Sequence, residues 1–144
     1  MFNDFVASLY DPWFNYELYS DLLDAVFNAF DFQKLGIAYL VVSFVCLLVF
    51  YKVLDPIKKP RLKWLLTTVC SGILMLIVCC VLLYNNNEVL MSIASYSSSQ
   101  PNAINPEYFI IQMAAITFLY GVITAMLLSV LMKYLSAANT KNPF

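Results

Sequence analysis

Histidine is absent from the 144 residues. With it go the usual general base, the commonest metal ligand and the usual axial ligand of haem-type cofactors. Charge is scarce as well. Asp, Glu, Lys and Arg make up 12% of the chain, against about 25% in an ordinary soluble domain. None of that charge falls in the middle of the three long apolar runs. An ion-coupled carrier or proton relay therefore lacks its intramembrane groups. No proline interrupts a run either, so the half-helix sites of many transporters are missing. Serine, threonine and cysteine do occur inside the runs, but with no histidine, acid or lysine beside them to activate a nucleophile. Cys46, Cys70, Cys79 and Cys80 show neither zinc spacing nor a redox CxxC pair and read as small packing residues. A net charge of −1 supplies no basic field for nucleic acid. These absences predict no enzyme, no cofactor, no metal site and no nucleic-acid partner. The acidic, aromatic first residues do not read as a cleavable signal peptide. The lack of an Asn-x-Ser/Thr acceptor is compatible with a bacterial inner membrane.

What is present is apolar: 62% of the residues are hydrophobic and the mean hydropathy is +0.75. The runs cover residues 35–54, 64–84 and 108–135. About 20 apolar residues at about 1.5 Å each cross a hydrocarbon core of about 30 Å. The expected fold is an all-α, multi-pass membrane protein with three transmembrane helices. Asp55-Pro56 and Pro60 shape a short hairpin after the first run. Asn105-Pro106-Glu107 opens the third with a cap, a Pro at the first helical position and an acid in the first turn. Trp64, Tyr84, Tyr108 and Tyr134 stand at run ends, where amphipathic rings favour the headgroup layer.

Basic residues set an orientation. The 55–63 hairpin holds Lys58, Lys59, Arg61 and Lys63, with Lys52 just before it, and the tail holds Lys133 and Lys141. The 85–107 loop and the residues before Lys34 hold none. The positive-inside rule predicts a cytoplasmic hairpin and a cytoplasmic tail at 136–144. The 1–33 segment and the 85–107 loop fall on the opposite side. The Lys58-Lys59-Pro60-Arg61 run could also attract anionic lipid headgroups, although setting topology alone accounts for it.

The 1–33 segment carries Asp4, Asp11, Glu17, Asp21, Asp24 and Asp31 among a dense aromatic set. Asp11-Pro12 reads as a helix start. From there Leu18, Leu22, Val26 and Phe30 recur every four residues, with Asp21, Asp24, Asn28 and Asp31 on the other face. The spacing predicts an acidic amphipathic helix, too charged to span and suited to the interface. Interfacial helices usually carry Lys or Arg. The acids here point instead to docking on a partner outside the cytoplasm through Leu18, Leu22, Val26, Phe30, Asp21 and Asp24, or simply to keeping the N-terminus outside. No EF-hand-like spacing supports a cation site. In the 85–107 loop, Glu88 to Tyr96 predicts a short helix on Val89, Leu90 and Ile93.

Inside the spans, Thr117, Gly121, Ala125 and Ser129 form a small-residue stripe, and Thr68 and Gly72 form a shorter one. Helices in lipid associate by close approach along such faces, either within one chain or between copies. Gln112, one turn into the third run, is placed to bond to a neighbouring helix or to the interface.

The three-span layout, with its N-terminus outside and a charged cytoplasmic tail, is similar in topology and length to one class of phage holins. Small polytopic immunity proteins against pore-forming toxins are of similar size. These likenesses imply a self-associating pore or a toxin inhibitor. The residues themselves point first to a non-catalytic subunit of a larger membrane assembly of the secretion, envelope or motor type. Its partners would be lipid and other membrane or extracytoplasmic subunits, or itself.

Overall fold

A computed structural model describes residues 1–53, 60–99 and 107–132. Every element in them is helical: α1 Phe2–Tyr10, α2 Tyr16–Asn28, α3 Asp31–Leu48, α4 Pro60–Asn85, α5 Asn87–Ser99 and α6 Glu107–Met132. Three stretches are long and apolar enough to cross a membrane: Asp31–Lys52, Arg61–Asn85 and Tyr108–Met132. The first begins four residues before the expected Leu35. Hydropathy penalises Asp31, but an acid in the first turn suits the positive end of a helix. The end of the first run past Val53, the residues after Met132, and the Asp55-Pro56 and Asn105-Pro106 signals lie outside the described residues.

The chain forms two compact units. The first comprises Met1–Ile37 and Ile77–Ile116. Its helix starts depend on small polar side chains. Asp11 and Pro12 do not open the long N-terminal helix. They form a 3-10 turn, Asp11–Trp13, after which Phe14 is extended. α2 begins only after Asn15, whose side-chain oxygen accepts the Glu17 N–H at 3.1 Å, satisfying one of the orphan donors of a first turn. α2 kinks at Tyr19 and ends where Phe30 adopts φ 58°, a left-handed conformation that reverses the chain into α3 within three residues. Asn86 plays the part of Asn15 for α5: its side-chain oxygen accepts from Glu88 N at 3.1 Å and Val89 N at 3.3 Å. The core holds Val6, Tyr10, Leu22, Val26, Phe32, Leu35, Leu83, Val89, Phe109 and Met113, all nearly or fully buried.

The second unit comprises residues 38–76 and 117–144, described as far as Met132. After Leu48 the chain winds as a π-turn over Val49–Val53. The wider turn holds more residues, so successive side chains diverge less. Phe50 and Tyr51 are consecutive and both buried, their rings edge-on with centroids 4.8 Å apart. They join Leu47, Trp64 and Met132 in one apolar cluster, with Leu128 against it.

Candidate functional site

The first unit is tied together by three polar side chains that sequence reasoning placed in water or overlooked. Asp31, expected on the exposed acidic face, is only 2% exposed. Its carboxylate accepts from Asn86 Nδ2 at 2.8 Å and from Lys34 Nζ at 2.7 Å. Asn86 Nδ2 also donates to the Ala25 carbonyl at 3.4 Å, so one amide holds α2, α3 and the start of α5. Asn3, equally buried, donates to the Phe27 carbonyl at 3.0 Å and accepts from Gln33 N–H at 3.0 Å. It thereby caps α3 from thirty positions away. A burial that looks costly for a carboxylate is offset by two charge-assisted bonds. Beside this node lies an open cavity of about 250 Å³ bordered by Ala29, Lys34, Leu82 and the Asn85–Glu88 corner. A sequence signal that could have found Asn86 is its place just ahead of the expected helix from Glu88, since Asn favours the N-cap position.

An aromatic wall continues from the node. The Phe14, Tyr19 and Phe109 rings lie 5.2 to 5.8 Å apart, and Tyr10 meets Phe32 at 5.2 Å. These are distances at which tilted and edge-on aromatic pairs attract. Burial raises the Tyr19 phenol above its ordinary pKa. Gln112, on α6, donates from Nε2 to the Trp13 carbonyl at 2.6 Å. The N-terminal segment is thus packed and bonded onto the ends of the long helices.

The docking face read from the sequence divides in two. Leu22 and Val26 are 1% and 0% exposed. Their four-residue repeat reflects the chain's own core, which corrects their assignment to a partner. Leu18 and Phe30 remain 44% and 59% exposed, and Asp21 and Asp24 face out as expected. Asp21 and Asp24, three residues apart beyond the Tyr19 kink, lie on the exposed side of α2 away from its buried residues, and Glu17 is exposed just before the kink. Tyr16 donates its hydroxyl to Asp24 Oδ1 at 3.3 Å. The charge of Asp24, then this bond, raises the Tyr16 phenol above its ordinary pKa.

In the second unit Thr117, Gly121, Ala125 and Ser129 are all buried, as are Thr68 and Gly72. A Cβ added at Gly121 would stand 3.2 Å from the Gly72 Cα and 3.0 Å from the Met75 side chain. At Gly72 it would meet Val122 at 2.7 Å. The two stripes face each other within the chain, between α4 and α6. Ser43 and Ser71 share a hydrogen bond of 3.2 Å, and Ser129 donates to the Met126 carbonyl at 2.7 Å. Of the residues expected to set topology, Arg61 and Lys63 are exposed in the first turn of α4, while Lys58 and Lys59 lie outside the described residues. Comparison with protein-family models, with curated proteins and with solved structures finds no match for the chain.

Proposed function

We propose that the chain is a non-catalytic, multi-pass subunit of a larger membrane assembly, anchored by its three apolar helices and docking a protein partner through α2. The observation that carries this reading is the exposed acidic ridge of Asp21 and Asp24, with Glu17 and Leu18 exposed just before the kink, on a helix whose opposite side is built into the core. A helix fixed in this way loses little conformational freedom on binding, so its contacts translate more fully into affinity. The ridge carries no basic residue, which favours a partner with Lys or Arg at its contact surface. By the positive-inside rule that partner lies outside the cytoplasm. The inward burial of Ser43, Thr68, Ser71, Thr117 and Ser129 in the second unit speaks against a self-associating pore, which needs polar side chains turned toward water. Chemical crosslinking in the native membrane tests the reading. We expect a crosslinked partner whose capture falls when Asp21→Lys and Asp24→Lys are introduced together. A chain that runs as a monomer with no captured partner overturns it.

A further inference from the structure

α1 has three faces. Asn3, Val6 and Tyr10 are buried against the first unit. Phe2 and Phe5 are 43% and 62% exposed, and the half-buried Leu9 follows on the same side of the helix. Asp4 and Ser8, four residues apart, are exposed on the remaining side. At 3.6 residues per turn these three sets point roughly a third of a turn from one another. A helix lying on a soluble domain needs only two faces, one for the core and one for water. A third face of large apolar side chains calls for a third medium.

The contacts of α1 and the following turn specify its depth. Val6 and Phe2 pack on Gly36, where an added Cβ would stand within 2.9 Å of both side chains. Gly36 is five residues past Asp31, about 7.5 Å along α3 at about 1.5 Å per residue. Trp13, 50% exposed, is bonded through its carbonyl to Gln112, four residues past Tyr108 and about 6 Å along α6. Two independent contacts therefore place Phe2 and Trp13 each about 6 to 7.5 Å past the start of a helix long enough to span. An interfacial helix sinks its apolar face by about 5–10 Å into the boundary between headgroups and acyl chains.

We propose that α1 lies flat in this boundary, in the leaflet where α3 begins, with Phe2, Phe5 and Leu9 in lipid and Asp4 and Ser8 toward water. Trp13 enters the bilayer at the same depth. The proposal rests on reading the three apolar helices as spans and divides the labour of the N-terminal segment: α1 and Trp13 take lipid, and the α2 ridge is left for the protein partner.

The chain has two tryptophans, Trp13 and Trp64, which makes depth measurable. The Trp64→Phe chain is placed in protein-free phosphatidylcholine vesicles whose acyl chains carry bromine near either the glycerol or the terminal methyl. Trp13 emission is expected to be quenched more by the shallow bromines than by the deep ones, and to resist aqueous iodide. Should Trp64→Phe impair folding, the difference in quenching between the full chain and its Trp13→Phe variant reports the same quantity. A second reporter, Phe5→Trp in a Trp13→Phe, Trp64→Phe background, is expected to show the same pattern from α1 itself. Free quenching by iodide with no effect of brominated chains overturns the proposal, and so does strongest quenching by the deep bromines. No partner is present in these vesicles, so lipid quenching without native crosslinks defeats the partner reading alone. Crosslinks with a water-exposed Trp13 defeat this proposal alone.

Discussion

The Asn86 side chain joins α2, α3 and the start of α5. Asn86 caps α5 with its oxygen and donates to a buried carboxylate with its nitrogen. Removing it leaves Asp31 buried and short of a donor, while α5 loses its cap. An unsatisfied buried polar group costs about 1–3 kcal/mol, more when charged, and a lost cap about 1 kcal/mol. Asn86→Ala is therefore expected to destabilise the first unit by about 2–4 kcal/mol. Adding Asp31→Asn to it should recover part of the loss, because a neutral amide is cheaper to bury than an unpaired charge. Thermal melting in detergent micelles, followed by circular dichroism, measures both. Equal melting of Asn86→Ala and the unchanged chain would show that water, not Asn86, solvates Asp31. None of this was visible in hydropathy. Asp31 looked like one more acid on a solvated face, and its partner lies 55 positions away.

Among the elements, α4 and α6 approach each other backbone to backbone at Gly72 and Gly121. Lipid provides no hydrophobic drive for helices to meet, so packing and close approach must hold them. The Gly72–Gly121 approach is backbone against backbone, where no side chain can rotate away. Gly121→Ile is expected to force the helices apart and to lower thermal stability by about 1–3 kcal/mol, as overpacking does. Gly121→Ala should cost less, since a Cβ there needs its neighbours to yield only a few tenths of an ångström. A melting series over the two variants checks the order. The stripe itself was legible, because four-residue spacing of small side chains puts them on one face. Which helix it meets was not, since periodicity describes one helix at a time. The same limit explains α2. Its repeat of Leu18, Leu22, Val26 and Phe30 predicted one apolar face, and only Leu22 and Val26 share it. The kink at Tyr19 and the reversal at Phe30 take Leu18 and Phe30 out of that face, while Leu22 and Val26 enter the core.

For the whole molecule, the asymmetry of basic residues carries the prediction. Lys34, in the first turn of the first span, is paired with Asp31, and the 55–63 hairpin keeps an excess of Lys and Arg. We expect the N-terminal segment outside and the hairpin inside. A cysteine introduced by Ser8→Cys, with Cys46, Cys70, Cys79 and Cys80 replaced by alanine, should react with a membrane-impermeant maleimide on intact cells. One introduced by Arg61→Cys should react only after the membrane is opened. The reverse pattern would invert the topology and move the proposed partner to the cytoplasm.

Hydropathy is a sum over neighbours along the chain, and so is helical periodicity. They sufficed to locate three helices able to span a membrane and a short helix after Glu88. They also sufficed to show how little ionisable chemistry those helices contain. Burial is a different kind of quantity, because it depends on residues far apart in sequence and close in space. Tertiary contact put Asp31 in the core and Asp21 in water, although both are acids on the same local pattern. It closed Leu22 and Val26 to any partner and capped α3 with Asn3. It also gave a nine-residue helix, α1, the three faces that suit it to the edge of a bilayer.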